Sequence, residues 1–316
     1  MHRILVVLIV LLAGQALAEA KAPPLRQSYV PQEVAPGTYV IHGPRALPNP
    51  ENQGFMNNPA FILPPAGVVV IDPGGTVQAG EMVLAQIRNV TDRPVIAVFD
   101  THVHGDHWLG NQAIAEAYPE AVRYAHPRAI ERIEAGEGAE WLDLMMRLTE
   151  GASAGTRVVP PQRPLDEGEV VELGGLHFRV LHGGKAHTDT DIMILVPEKR
   201  LIFLGDNAGN GRVLRLQGSF RGNIAELERA LGSGAEVFVP GHGPTGGREV
   251  AVQYRDLLKT LYETVQAGYE EGKADFEIRP RLLPKLTAWQ DWSGFEHELG
   301  GLISAAYLEA EAADFE

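Results

Sequence analysis

The sequence predicts an α/β fold in which two β-sheets pack face to face with helices on both outer sides. In the first half of the chain, short apolar runs alternate with segments of helical periodicity, and the second half repeats this alternation. Most of residues 248–316 has helical periodicity. Each element must bury its apolar side against another layer, so we expect a four-layer αββα sandwich with a C-terminal helical extension.

The first half supplies five predicted strands and three predicted helices. Each strand is a short apolar run bounded by Gly, Pro, Asn or Asp, and each helix has apolar residues at helical spacing, as in Val83, Leu84 and Ile87. The strands are expected at 38–42, 61–63, 68–71, 94–99 and 121–125, and the helices at 77–90, 108–117 and 128–149.

The second half continues the pattern. Strands are expected at 170–173, 178–181, 192–196, 201–204 and 237–239, and helices at 224–231, 250–265 and 295–312. Gly272 is expected to end the helix of 250–265, and Pro280 and Pro284 predict an irregular segment after it. We expect this tail to pack against the sandwich, and its contact with substrate stays open.

The chain begins with an expected export signal at residues 1–18. Arg3 precedes the apolar run 4–12, and residues 16–18 form a small-residue cleavage site, so the mature chain is expected to begin at Glu19. A linker at 19–36, one domain at 37–247 and the helical extension at 248–316, packed on the same domain, should follow. The apolar run is short for a membrane span. We therefore expect a periplasmic or secreted protein without a stable membrane anchor.

The composition narrows the classes of function. The chain has 41 acidic and 27 basic residues, and this surplus of negative charge argues against a nucleic-acid partner. It contains no cysteine, which excludes disulfides, thiolate metal ligands and thiol nucleophiles. A small-molecule substrate is expected, and the oligomeric state stays open.

A dense run of metal-ligand residue types follows the strand predicted at 94–99. The run consists of His102, Val103, His104, Gly105, Asp106 and His107. Side chains alternate along an extended segment, so His102 and His104 should face the same way, and Gly105 lets the backbone turn. Three imidazoles and a carboxylate suit zinc or ferrous iron. Three of the eleven histidines lie in this run, which favours a metal site over a solvated loop.

This run resembles the H-x-H-x-D-H signature of the metallo-β-lactamase superfamily. Three later segments resemble that family's landmarks in the same order: residues 184–191 its G-x-x-H-T-x-x-D loop, 203–206 its strand ending in Gly-Asp, and 240–243 its P-G-H-G turn. Residues 69–74 resemble its early strand and turn. The match extends from about residue 37 to 245.

The resemblance implies a centre with two zinc ions, with iron or manganese as alternative metals. Carried over residue by residue, it implies one ion at His102, His104 and His187, a second at Asp106, His107 and His242, and Asp206 as the bridge. A hydroxide bridging the ions would attack the substrate, and Asp106 is the expected catalytic residue that orients it.

The residue at position 206 indicates which branch of the family the chain resembles. Lactamases of the thiolate type have a cysteine at this position, whereas the pair Gly205-Asp206 resembles glyoxalase II and related hydrolases. The export signal, the seven ligands and the helical tail together resemble the quinoprotein relay system zinc metallohydrolases and SoxH-type proteins. We therefore predict an exported dinuclear zinc hydrolase of a small ester, thioester or lactone. Three alternatives stay open: a mononuclear iron enzyme resembling persulfide dioxygenases, a zinc β-lactamase, and a non-catalytic metal-binding accessory of a periplasmic redox system.

Other polar residues have weaker expectations. Asp72 and Asp191 are predicted to stabilise turns or to support a ligand imidazole. The basic residues near the ligand loops are candidates for meeting an anionic group of the substrate, and they are Lys185, Arg212, Arg215 and Arg221. The remaining histidines are predicted to be structural or exposed, with His182 as the strongest candidate for an exception; they are His42, His126, His177, His182 and His297.

Overall fold

The computed structural model of the protein describes residues 20–315. Within this part of the chain, the strands form two sheets, one of seven strands in the order β1 to β7 and one of five in the order β12-β11-β10-β9-β8. The first sheet consists of β1 (Gln32–Ala35), β2 (Thr38–Val40), β3 (Ala60–Ile62), β4 (Val68–Ile71), β5 (Val95–Phe99), β6 (Val122–Ala125) and β7 (Arg163–Pro164). The second consists of β8 (Val170–Leu173), β9 (Leu176–Leu181), β10 (Met193–Val196), β11 (Leu201–Gly209) and β12 (Val237–His242).

Helices pack against the outer faces of both sheets. The helices of the described residues are α1 (Val77–Val90), α2 (Gly105–Trp108), α3 (Asn111–Ala117), α4 (Pro127–Arg132), α5 (Gly138–Leu148), α6 (Phe220–Gly232), α7 (Glu249–Glu270), α8 (Asp275–Leu282) and α9 (Phe295–Ala313). Helix α1 shows how the local sequence starts a helix and gives it an apolar face. The Thr76 side chain caps it by accepting from the Ala79 amide, and Val83, Leu84 and Ile87 are buried on one face.

One core cluster lies between the two sheets. Phe99 of the first sheet stacks on Phe178 of the second, with ring centroids 5.3 Å apart, and Ile62, Val69 and Ile194 are buried in the same cluster. Burying one such side chain stabilises the fold by about 1.5–3 kcal/mol. A second cluster joins the five-stranded sheet to α6, α7 and α9, and a third joins the seven-stranded sheet to α1. The predicted αββα sandwich with a helical C-terminal region is therefore confirmed.

Three local expectations differ from the structure. Residues 32–35 lie in the segment predicted as a linker, yet they form β1, because they pair with β2 in an antiparallel register. The single helix predicted at 128–149 is divided into α4 and α5, because Gly136 has a φ of 131°, outside the helical region. The irregular segment predicted around Pro280 contains α8, where the proline lies inside an eight-residue helix.

The expected export signal at 1–18 lies outside the described residues. Within residues 20–315, no helix is long and apolar enough to cross a membrane.

The topology brings the ends of several strands to one edge of the sandwich. β4 and β5 run parallel, so the residues after them, Asp72 and 100–102, lie side by side. In the other sheet β11 and β12 are also parallel. His242 is the last residue of β12, and Asp206 lies in the second half of β11, beside the end of β12. The residues predicted as metal ligands therefore meet between the two sheets at this edge.

Candidate metal centre

The turn after β5 holds the ligand run in a compact, buried shape. The Val103 amide donates to Thr190 Oγ1, and the Trp108 indole donates to the Val103 carbonyl at 2.8 Å. α2 begins directly after His104, so Asp106 and His107 lie in its single turn. The chain thus turns back on itself and directs the histidines and Asp106 towards one point.

His102, His104, His187 and Asp206 form the first group of possible ligands. Their ligand atoms all lie within 4.8 Å of one another, and all four residues are buried. His187 Nε2 lies 3.1 Å from His104 Nδ1 and 3.7 Å from Asp206 Oδ2. His102 Nε2 lies 3.9 Å from the same carboxylate oxygen. His187 comes from the loop between β9 and β10. It lies 80 residues after the run at 102–107, and in the sequence only the family resemblance connects the two.

Asp106, His107 and His242 form the second group. His242 Nε2 lies 3.3 Å from Asp106 Oδ2 and 3.4 Å from His107 Nε2. Asp206 belongs to this group as well, since its carboxylate lies 3.2 Å from His107 Nε2 and 3.3 Å from His242 Nε2. Asp206 therefore lies between the two groups, in the position expected of a bridging residue.

These residues fit a divalent metal. Nitrogen and oxygen ligands with bonds of about 2.1 Å to a tetrahedral ion lie about 3.4 Å apart, which is the spacing found within both groups. His102 Nε2 is buried without a hydrogen-bond partner, and Asp206 Oδ1, although 3.2 Å from His107 Nε2, has no well-aligned donor. Buried polar atoms are costly when unpaired, and a metal ion would satisfy both.

Four of the five histidines are oriented by a bond to the other ring nitrogen. His107 Nδ1 donates to Asp72 Oδ2 at 2.8 Å, and His102 Nδ1 lies 3.0 Å from Thr101 Oγ1, which itself donates to Asp72. The remaining two bonds, at 2.8 and 2.9 Å, join His104 Nε2 to Gln217 Oε1 and His242 Nδ1 to the Met56 carbonyl. These bonds turn the opposite nitrogen of each ring towards the centre, where its lone pair can bind a metal when the ring is neutral.

At three positions the surroundings keep the histidine in its neutral form, which is the form that binds a metal. Burial lowers the pKa of His102 well below its ordinary value, lowers the pKa of His104, and lowers the pKa of His187 to about 3. Burial alone would raise the pKa of Asp206, but the neighbouring His242 and His107 charges hold that pKa well below its ordinary value. The three imidazoles are thus neutral and Asp206 is ionised at neutral pH, as metal binding requires. Burial also opposes a charge on His107 and His242, but the Asp206 carboxylate raises the pKa of both rings, so these two ligands release a proton when a metal binds.

Other predicted residues lie in different places. Asp191 does not touch a ligand imidazole; its carboxylate accepts from the Thr188 amide and hydroxyl and stabilises the loop after His187. Lys185 and Arg221 line a groove against α9. Arg212 and Arg215 line the cavity that contains Asp106, Asp206 and His242. The structure therefore places two of the four candidate basic residues beside the centre.

His126, Asp166 and His182 form a further cluster outside the centre. His126 Nδ1 accepts from the Arg128 amide and caps α4, so its ring proton lies on Nε2 when the ring is neutral. His182 Nδ1 donates to the Asp191 carbonyl at 2.6 Å. A metal at this cluster would need a lone pair on His126 Nε2. In the structure both histidines therefore make hydrogen bonds to the backbone through Nδ1.

A cavity of about 390 Å³ opens onto the centre. Several of the residues that line it were not predicted from the sequence. Trp141 of α5 lies beside His104, with ring centroids 5.2 Å apart. His297 and Glu298, at the start of α9, also line the cavity. The helical extension therefore contributes to the cavity as well as packing on the sandwich. No periodicity marks Gln217 or Trp141, because only the tertiary fold brings them to His104.

Comparison with known proteins identifies the family. A family model for the metallo-beta-lactamase superfamily matches residues 53–242, which includes every residue of both ligand groups. The chain belongs to the metallo-beta-lactamase superfamily. The resemblance of the run at 102–107 to this superfamily is therefore confirmed.

Two similar proteins are an alkylsulfatase and a hydroxyacylglutathione hydrolase. The linear primary-alkylsulfatase of Pseudomonas sp. (strain ATCC 19151) is 24% identical over 272 residues, covering 72% of this chain and 51% of that protein. The hydroxyacylglutathione hydrolase of Legionella pneumophila (strain Corby) is 29% identical over 177 residues, covering 54% of each. The chain thus spans about half the length of these curated relatives.

The fold similarity extends into the helical region at the C-terminus. The solved structure of the stereoselective inverting sec-alkylsulfatase Pisa1 from Pseudomonas sp. covers 91% of this chain, with a TM-score of 0.70 and 17% sequence identity, and the chain covers 52% of that protein. At this identity the similarity concerns the fold. The superfamily model, by contrast, ends at residue 242, before α7 begins.

Proposed function

We propose that this chain is a metal-dependent hydrolase of a small ester, thioester or lactone. The observation that supports this proposal is the convergence of seven buried ligand residues, five of which line a cavity whose wall is largely apolar. A substrate that covers this wall would exclude water, which strengthens the effect of charged groups on the reacting atoms. The relatives hydrolyse a sulfate ester and a glutathione thioester according to their names, which agrees with an ester-type substrate.

We further propose that two zinc ions occupy the centre. His102, His104 and His187 would hold one, Asp106, His107 and His242 the other, and Asp206 would contact both. Bound there, the ions would lower the pKa of a water molecule towards neutrality and polarise the scissile group. The same nitrogen and oxygen ligands also suit iron or manganese, so the metal is part of the test.

Asp106 has the position of an orienting residue. Burial would raise its pKa, but the charges of His107 and His242 lower that pKa below its ordinary value, so Asp106 is a carboxylate at neutral pH. It lines the cavity and its Oδ2 lies near His242. Asp106 can therefore accept a hydrogen bond from an attacking water and hold it towards the substrate.

We also propose export to the periplasm or the medium, on the basis of the signal pattern in residues 1–18. The N-terminal mass of the protein recovered from a periplasmic fraction tests this proposal. A mass that begins at Glu19 supports it, and an intact Met1 in the cytoplasm contradicts it. The narrower resemblance to the quinoprotein relay system and SoxH-type branch stays a prediction.

The hydrolase proposal is tested with the purified chain loaded separately with zinc, iron and manganese. Metal content is measured by mass spectrometry, and hydrolysis is measured on a panel of thioesters, carboxylic and sulfate esters, lactones and β-lactams. We expect two equivalents of zinc and turnover of at least one ester-type substrate. One equivalent of iron with oxygen consumption on a persulfide, and no hydrolysis, would instead favour the dioxygenase alternative.

Asp106→Ala is the first variant to compare. Loss of the orienting carboxylate should lower kcat by about 10²–10⁴-fold, while circular dichroism shows an unchanged fold. Asp256→Asn removes a carboxylate of α7 that pairs with Arg255 and should leave kcat unchanged. Full activity in Asp106→Ala would contradict the role assigned to Asp106.

A further inference from the structure

Arg212 is a buried cation at the wall of the cavity. Its side chain lines the cavity together with Asp106 and Asp206, and the residue is only 5% exposed. Its Nη1 donates to the Ala46 carbonyl at 2.8 Å. A guanidinium has five N–H donors. Within residues 20–315, the structure shows no carboxylate within ion-pair distance of Arg212. The charges of Asp106, Asp206 and Glu298 act on Arg212 only from longer range, so none of them takes up its N–H donors.

The backbone around Arg212 is held in place by two neighbouring loops. The Val213 amide donates to the Ser293 carbonyl at 2.8 Å, and the Ser293 amide donates to the Gly211 carbonyl at 3.1 Å. Arg45 also donates to the Gly211 carbonyl. Because the loop is tied on both sides, Arg212 is positioned before any ligand arrives, which reduces the entropic cost of binding.

The other charged groups at the cavity wall are already paired. Arg215 Nε lies 3.4 Å from Glu298 Oε2, and His297 Nε2 lies 3.5 Å from Glu298 Oε1. Asp106 and Asp206 face the histidines of the metal centre. Arg212 is therefore the cavity cation that is left to meet an incoming negative charge.

The remaining wall is hydrocarbon. Two of its leucines, Leu47 and Leu148, are 49% and 40% exposed. Deeper contacts come from Met56, Trp141 and Leu144. An aliphatic chain lying along this wall would cover apolar surface that is exposed to water in the free protein.

We infer that the cavity binds an amphiphilic substrate whose oxyanion, a carboxylate or a sulfate, is held by Arg212 while its hydrocarbon part lies along the leucine-lined wall. This inference rests on the proposed function and specifies its substrate class. A guanidinium binds such oxyanions through paired, charge-assisted hydrogen bonds. A neutral ester of the same length would lack this contact.

The test measures binding rather than turnover. Octane-1-sulfonate, octanoate and octan-1-ol are titrated into the full metal-loaded chain by calorimetry, because none of the three can be hydrolysed. We expect Arg212→Gln to weaken binding of both anions by about 10- to 100-fold and to change octanol binding by less than about twofold. Arg212→Lys should recover part of the anion affinity. The stronger-bound anion in the wild type distinguishes sulfonate from carboxylate chemistry.

The matched control is Arg93→Gln. The Arg93 guanidinium likewise donates to a backbone carbonyl, that of Pro64, at 2.7 Å, but it lies before β5, at the opposite end of the strand from the centre. This variant should bind all three probes as the wild type does. Equal anion affinity in wild type and Arg212→Gln, or an equal loss of octanol affinity, would overturn the inference.

Different results would contradict the hydrolase proposal and the inference about the substrate class. If the wild type hydrolyses no member of the ester panel but Arg212→Gln still loses anion affinity selectively, the hydrolase proposal is wrong and the anion site stands. If esters are hydrolysed but the anions bind independently of Arg212, the substrate class is wrong and the hydrolase proposal stands.

Discussion

Asp72 shows how a single residue can organise the metal centre without facing the cavity. Its carboxylate accepts from His107 Nδ1, from the Thr101 hydroxyl and from the Thr101 amide, each at 2.8 Å. Thr101 in turn contacts His102 Nδ1. One carboxylate therefore orients an imidazole in each ligand group, so its removal should affect both metal positions.

Asp72→Asn should lower metal affinity by about 10- to 100-fold. An amide has one acceptor oxygen in place of two, and its NH₂ group cannot accept from the His107 and Thr101 donors. Competition with a chromogenic chelator measures the affinity. Asp100→Asn is the matched control, since Asp100 is also buried but accepts from Asn111. A metal affinity in Asp72→Asn equal to that of the Asp100 variant would show that Asp72 does not support the centre.

At the scale of the elements, α5 is the part of the fold that closes the cavity on the side of His104. Trp141 lies against the metal-binding turn so closely that a Cβ atom on Gly105 would be 2.7 Å from Trp141 Cβ. The backbone break at Gly136 redirects the chain after α4 and gives α5 its own direction. A continuous helix through 128–149 would not turn at this point, so the break contributes to the shape of the cavity.

Gly105→Ala should destabilise the protein by about 1–3 kcal/mol, because the added methyl group displaces Trp141 and α5. Thermal unfolding and tryptophan fluorescence report the two effects. Gly301→Ala is the control with the opposite sign. Gly301 is exposed inside α9 and an added Cβ meets nothing within 4 Å, so alanine should stabilise that helix by up to about 1 kcal/mol. Equal effects of the two substitutions would contradict the close packing of α5.

At the scale of the whole molecule, acid stability depends on histidines that are buried in a neutral state. Burial, followed by the nearby His182, lowers the pKa of His126 to about 4, below the ordinary value of 6.5. Between these two values the unfolded chain takes up a proton that the folded protein does not. His126 therefore makes no difference to stability above pH 6.5 and destabilises the fold as the pH falls towards 4.

His126→Asn should reduce this acid destabilisation by about 1–2 kcal/mol at pH 4.5 relative to the wild type. Asparagine keeps an acceptor for the Arg128 amide at the start of α4, so stability at pH 7.5 should change little. Urea unfolding at both pH values measures the difference. His177→Asn is the control, because His177 is about half exposed and pairs with Glu198 at the surface. A pH dependence that is the same in wild type and His126→Asn would rule out this contribution.

Residues that lie close together in the sequence were sufficient to predict the layers of the fold and the presence of a metal centre. Apolar periodicity predicted the layers, since burial of one-sided elements leaves few packing solutions. The six residues from His102 to His107 predicted a metal centre, because their chemistry and their spacing are both local properties. The separate positions of His187, Asp206 and His242 were identified through family resemblance, and the structure brings all of these residues together.

Only the tertiary structure revealed the surroundings of the centre. Gln217 beside His104, Trp141 above it, Arg212 at the cavity wall and Glu298 at its rim come from segments far apart in the chain. Their positions depend on how sheets, loops and terminal helices pack, and no periodicity in the sequence records such long-range contacts. Part of the chemistry of the centre is thus a local feature of the sequence, whereas the cavity beside it is a product of the fold.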